Sequence, residues 1–180
     1  RNGIRPVPVL NGVLGFIINM GRSIPFIILL VAVRPLTRLI MGTTIGPKAT
    51  TIPLIVAATP FVARMIENSL HEIDAGVIEA AKAMGSDTLQ IIYKVMLPEA
   101  LPSLITGASL TTITLVGYTA MAGAVGGRGL GDIALRYGYY RYEPEVMVIT
   151  IVLIVILVQI IQSLGQFIAK KIDRREKGDN

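Results

Sequence analysis

A chain of 180 residues, 52% of them hydrophobic and 16% charged, has a mean hydropathy of +0.64, which excludes an ordinary soluble domain and points to an integral membrane protein. The formal charge of +5 comes without tryptophan and without a basic face interleaved with aromatics, which excludes nucleic acid as a partner. The absence of cysteine excludes disulfides and thiolate metal sites and fits a bacterial inner membrane.

Residues 6–33 form a first apolar stretch, interrupted by Arg22 and Pro25. They are not a signal peptide, because no small-residue cleavage site follows and Arg22 leads into more apolar sequence. A charge in the middle of a lone span would cost about 2.5–3.5 kcal/mol on insertion scales. The first crossing is therefore expected over about 23–40, with Arg22 at a membrane boundary and 1–22 as a cytoplasmic or interfacial segment. Gly42, Gly46 and Pro47, with Arg34, Arg38 and Lys48, mark the next stretch as a loop. A second span is expected over about 49–66, where Ala57, Ala58, Thr59 and Ala63 suit close helix association.

Residues 67–102 are the only long polar, helix-like segment, with Glu67, Glu72, Asp74, Glu79, Asp87 and Glu99 making half of the twelve acidic residues. A polar island between apolar spans suits contact with a soluble partner. Asp74 can cap a first helix with apolar positions Val77, Ile78, Ala81 and Met84. Gly85 falls just past its end, where a left-handed residue stops a helix at least cost. Asp87 and Gln90 form a capping-box pattern for a second helix, with Leu89, Ile92, Val95 and Met96 as its apolar face and Pro98 as its stop. The segment 74–98 thus reads as an elbow of two short helices leading into a span.

That third span, about 100–118, is rich in Ser and Thr, including Ser103, Ser109, Thr112 and Thr114, and is expected to lie inside the bundle. Residues 119–131 (TAMAGAVGGRGLG) are Gly-rich. Irregular backbone at membrane depth is tolerated only under cover of protein or a cavity, so this segment is expected at the edge of a pathway. Tyr118, Met121, Ser109 and Thr112 are the pathway and gate candidates, Met121 as an apolar plug on a symmetry axis. Tyr137, Tyr139, Tyr140 and Tyr142, with Tyr118 upstream, suggest an interface belt. The last span is expected over about 146–168, followed by a basic tail, 169–180. Residues 146–169 hold no charge over 24 residues, and about 20 suffice to cross the hydrocarbon core as a helix.

Four spans place both ends and the acidic segment on one side. Ten basic residues fall there (Arg1, Arg5, Arg64, Lys82, Lys94 and five in the tail) against six on the other side (Arg34, Arg38, Lys48, Arg128, Arg136, Arg141). The bias orients the termini and elbow towards the cytoplasm. Gly127-Arg128-Gly129-Leu130-Gly131 lacks the strand and G-K-[ST] of a phosphate loop, and no Walker motif exists, so the chain is not expected to hydrolyse ATP. No His, Cys and carboxylate cluster at ligand spacing suggests a metal, and no serine has a partner base for nucleophilic catalysis.

Glu79-Ala80-Ala81, three residues, Gly85, nine residues, Val95, one residue, then Leu97-Pro98 resembles the cytoplasmic EAA signature of permease subunits of bacterial ABC importers. The single departure is Val95 where that signature has Ile. SIPFIILL (23–30), RMIENSLHEIDAGVIEAAKAMG (64–85), LPEALPSLITGASL (97–110) and TLVGYTAMAGAVGGRGLGDIALRYGY (114–139) extend the likeness to permeases of the methionine-uptake subfamily. The resemblance implies an all-α, polytopic transmembrane bundle of the type I importer class. It implies a homodimer in the bacterial inner membrane, with 74–98 docked on two copies of a separate ATPase subunit that carries ATP and Mg. An external binding protein would deliver the substrate, a small amino acid such as D- or L-methionine. Such permeases usually have five spans, so the resemblance implies that a first span is lacking here. A sibling importer for another amino acid or an osmolyte is the alternative, and a secondary transporter, which would carry ionisable residues at mid-membrane, a weaker one.

Overall fold

The computed structural model describes residues 7–173. Arg1, Arg5, Arg174, Arg175 and Lys177, which enter the orientation argument, lie outside the described residues. The described chain is built from helices joined by short turns, with no strand among the described residues. In order these are α1 Pro8–Ser23, α2 Phe26–Ala32, α3 Arg34–Met41 and α4 Pro47–His71. Then come α5 Ala75–Ala83 and the long α6 Thr88–Ala122. A single 3-10 turn at Gly123–Val125 leads to α7, Leu130–Ile133 continuing as a π-helix through Ala134–Tyr139, and α8, Pro144–Ile172, closes the chain.

Three of these helices, α4, α6 and α8, are long and apolar enough to cross a membrane, and the bent pair α1 and α2 makes a fourth crossing if counted as one. The first crossing differs from the expected 23–40. A helix already runs over Pro8–Ser23 and then turns by 103° into α2. The break lies at Ile24, extended at φ −82° and ψ 121°, because the proline ring that follows disfavours the helical region for the residue before it.

Asn19 and Arg22 of α1 meet Arg64 and Phe61 of α4, so the two helices run antiparallel. Arg22 therefore stands beside Phe61, about 21 Å from the start of α4 and about 15 Å from its end at 1.5 Å per residue. That places it within one turn of Arg64 and the ion pair that Arg64 makes with Glu67.

The core sits where α2, α4 and α6 meet: Phe26, Leu29, Leu30, Ala57 and Ala122 are buried together, with Leu54, Tyr118 and Val125 packed against them. Phe26 lies flat on Tyr118, centroids 4.5 Å apart, and Phe61 meets the same ring edge-on at 6.3 Å. Tyr118 thus belongs to the core and not to an interface belt, since its ring is held on two sides. Tyr139, Tyr140 and Tyr142 are exposed, and Tyr137 is half-buried beneath Arg141, 4.7 Å above its ring.

The longest helix contacts are α6 against α8 and α4. At the first of these Gly165 presses on Ser109, leaving no room for a β-carbon, which would stand only 2.7 Å from Ser109 Cβ. Small residues at such a crossing let two backbones approach, the main source of association between helices in lipid.

Candidate functional site: elbow and inner cavity

The elbow forms as its sequence predicts, up to Pro98. The Asp74 carboxylate accepts from the Gly76 backbone N–H at 2.6 Å and starts α5. The helix ends in a Schellman turn: Ser86 N–H donates to the Ala81 carbonyl at 3.1 Å and Gly85 N–H to that of Lys82 at 2.9 Å, with Gly85 at φ +78°. Asp87 accepts from Gln90 N–H at 2.7 Å while the Gln90 side chain accepts from Asp87 N–H at 3.2 Å, closing the capping box.

Pro98 does not stop the second helix. A π-turn over Ile91–Met96 carries Thr88–Gln90 into α6 without interruption. Leu97 N–H reaches back five residues to the Ile92 carbonyl. Such a widened turn takes in a proline whose ring and missing N–H would clash with a regular α-helix.

The EAA-like residues divide by position. Ala81 is buried, as are Ile73 and Ile91, and α5 packs on the π-turn. Glu79 and Ala80 are exposed, Gly85 forms the hinge, and Val95 and Pro98 line a small hollow with Val77 and Ile172 beside the end of α8. Leu97 is exposed next to them. The sequence pattern places Met84 and Leu89 on inward faces, yet they are 79% and 65% exposed, and Tyr93, not singled out by that pattern, is 66% exposed. The helices are too short to bury every apolar position, and these three remain on the surface of the elbow. Apolar residues flanking a hinge glycine inside a polar island were the signal for them.

At the root of the elbow, the Ser103 hydroxyl on α6 lies 2.6 Å from the Glu72 carboxylate and 3.0 Å from the Ser69 hydroxyl at the end of α4. Ser69 is 3% exposed. The chain therefore leaves α4 and returns in α6 through a pinned junction.

Above that junction opens a cavity of about 470 Å³ between α1, α4 and α6, with Arg22, Phe61, Met65, Leu110, Thr111 and Thr114 in its walls and Ser69, Glu72 and Ser103 at its foot. The Arg22 guanidinium sits over the Phe61 ring, 5.3 Å from its centroid. Arg64 is committed elsewhere, to Glu67 at 2.7 Å and to Asn19 at 2.6 Å.

Of the pathway candidates, Met121 shares an exposed stripe with Thr106, Leu110 and Gly117, within about 60° of one another at 3.6 residues per turn. Thr106 and Leu110 also line the cavity. Thr112, whose hydroxyl bonds back to the Ala108 carbonyl at 2.9 Å, lies about 200° round the helix from Leu110 and turns away. Ser109 lies in the closed contact with Gly165, its hydroxyl bonded to the Ile105 carbonyl at 3.0 Å. In the Gly-rich segment 119–131 the Val125 carbonyl takes the Gly46 N–H at 3.3 Å, closing the turn over the start of α4. No cluster of His, Cys, Asp or Glu able to hold a metal occurs among the described residues.

The profile of a family described as the binding-protein-dependent transport system inner membrane component matches residues 3–177. The chain is similar to the probable D-methionine transport system permease protein MetI of Vibrio cholerae, 52% identical over 166 residues, or 92% of this chain and 74% of that protein. It is 54% identical to the protein of the same name in Haemophilus influenzae, over 91% of this chain and 76% of that one. In structure it is similar to a chain of the MetNI methionine ABC transporter in an inward-facing conformation, with a TM-score of 0.92 and 52% identity over 97% of this chain and 81% of that one.

Proposed function

The chain belongs to the family of binding-protein-dependent transport system inner membrane components, and from that premise we propose that it is the permease subunit of an ATP-driven importer for methionine. As a multi-pass inner-membrane permease it provides a route and not a catalytic centre. In this reading two copies line the route, two ATPase subunits holding ATP and Mg dock on the elbows from the cytoplasm, and an external binding protein hands over D- or L-methionine. The termini and the elbow face the cytoplasm, as the distribution of Lys and Arg favours.

The observation that carries the coupling role is the elbow. Exposed Glu79 and Ala80 share the elbow with the uncovered apolar side chains of Met84, Leu89 and Tyr93, on a hinge whose two arms are capped and pinned. An apolar patch flanked by charge on a rigid projection suits a protein partner. Closing of the ATPase pair would move the elbows as levers and switch the route between its two openings. The methionine reading is supported by the relatives from Vibrio and Haemophilus. The exposed stripe ending at Met121 fits the surface where the two copies meet, with Met121 as the apolar plug.

The test is ATP-dependent uptake of labelled methionine into vesicles holding the permease, its ATPase and its binding protein. Competition by unlabelled methionine over other amino acids is expected. Uptake of a different amino acid or an osmolyte, with methionine excluded, would move the protein to a sibling importer. Glu79→Lys is expected to leave hydrolysis running while uptake per ATP falls at least about tenfold, the loss of one charge contact of about 1.4 kcal/mol.

A further inference from the structure

The cavity between α1, α4 and α6 has a chemistry that the coupling role does not use. Arg22 lies in the last turn of α1, just before the break and over Phe61 of α4, and among the described residues it makes no hydrogen bond or ion pair. Arg64, the neighbouring cation, is already neutralised by Glu67. The Arg22 side chain is exposed where it lines the cavity, and a guanidinium left without an anion beside apolar helices marks a functional position. Transporters place cargo at broken helices near the midplane, where side chains and irregular backbone can face a cavity.

The other walls are equally particular. The Thr111 hydroxyl donates to the Gly107 carbonyl at 2.9 Å and that of Thr114 to the Leu110 carbonyl at 3.0 Å. With their protons engaged, both oxygens offer lone pairs alone, which suits a cationic donor. Phe61, Met65 and Leu110 supply an apolar wall between. A guanidinium that pairs carboxylates through parallel N–H donors, two acceptor oxygens and an apolar surface together complement a zwitterion with an apolar side chain.

We propose that this cavity is a resting site for the cargo in transit, holding an apolar α-amino acid by its carboxylate on Arg22 and its ammonium on the oxygens of Thr111 and Thr114. The site rests on the importer reading above and gives it a residue that senses the cargo inside the membrane. Its volume, about 470 Å³, lies within the range of small-molecule pockets.

The test uses the permease–ATPase complex in nanodiscs without the binding protein, so that the receptor's own selectivity does not enter. Equilibrium binding of labelled methionine is measured against methioninamide, which lacks the carboxylate charge. Binding by the wild type is expected to be saturable and displaced by methionine at least about tenfold better than by the amide. Arg22→Gln is expected to lose this preference and about tenfold in affinity, Arg22→Lys to keep most of both, and Thr112→Val, on the far face of α6, to change neither.

Unchanged binding in Arg22→Gln, or no saturable binding of any amino acid by the wild type, overturns the site. Nanodiscs of zwitterionic phosphatidylcholine alone and with phosphatidylglycerol separate an amino-acid carboxylate from a net anionic lipid headgroup. Equal binding in both is expected, and abolition by the anionic lipid assigns Arg22 to lipid and overturns the proposal. Vesicle uptake of methionine decides the importer reading separately. A wild type that imports methionine while Arg22→Gln binds it normally loses the site and keeps the function. One that binds another apolar amino acid through Arg22, and not methionine, keeps the site and changes the cargo.

Discussion

Gly85 shows how one backbone angle can hold a mechanical part. At φ +78° it costs little, whereas an L side chain there costs roughly 1–2 kcal/mol. The space around its missing β-carbon is open, so substitution strains the chain without a steric clash. Gly85→Leu is expected to lower the melting temperature of the complex only slightly but to uncouple hydrolysis from uptake, because the arms meet at a different angle. Equal uptake per ATP in the variant and the wild type would refute this. Ser103 makes the complementary case at the elbow's root. Ser103→Ala leaves the buried Ser69 hydroxyl and the Glu72 carboxylate without this partner, at about 1–3 kcal/mol. The expected outcome is a lower stoichiometry of uptake to ATP with substrate affinity unchanged, read from paired transport and hydrolysis assays.

Among the elements, α6 and α8 are held by an approach that no side chain occupies on one side. Gly165→Ala is expected to cost about 1–3 kcal/mol by overpacking against Ser109, and Ser109→Gly in the same chain should restore much of it. A double-mutant cycle on thermal stability in detergent measures the coupling, and purely additive effects would show that the two helices do not meet there. Caps, hinge and apolar runs were legible in the sequence because each depends on neighbours in the chain: Asp74 two residues from Gly76, Asp87 three from Gln90, Gly85 just past a helix end. The course of α6 through Pro98 was not, because whether a proline stops a helix or is absorbed by a wider turn depends on hydrogen bonds slipping by one residue over Ile91–Met96. The helix over Pro8–Ser23 was obscured in a similar way. That Arg22 rests over Phe61, 39 positions later, depends on a contact between helices that the local sequence does not show.

For the whole molecule, the elbow was readable as a spacing, and the cavity was not. Its walls come from three helices, and which hydroxyls of the Ser- and Thr-rich span face it is set by the phase of α6 against α4 and α8. Ser109 and Thr112 have the same composition signal as Thr111 and Thr114 but point elsewhere. The chain also leaves a long apolar stripe from Thr106 to Met121 uncovered by its own helices. Replacing Met121 with Ala is expected to raise the leak of small solutes through the resting, reconstituted complex. Leak equal to the wild type would remove Met121 as the plug.

The π-turn at Ile91–Met96 has a meaning in the history of the sequence as well as in its mechanics. A turn with five-residue hydrogen bonds is what remains when one residue is inserted into an α-helix that cannot afford to move its ends. Excising one residue there would restore a regular helix and leave its ends in place, whereas a further inserted residue, with no second widened turn to absorb it, would rotate everything on one side by about 100° relative to the other. The face around Glu79 that is proposed to dock would then point away from the partner while both halves stayed folded. A one-residue insertion within 91–96 is thus expected to yield a permease that inserts in the membrane but no longer co-purifies with its ATPase, and excision of one residue there to keep both.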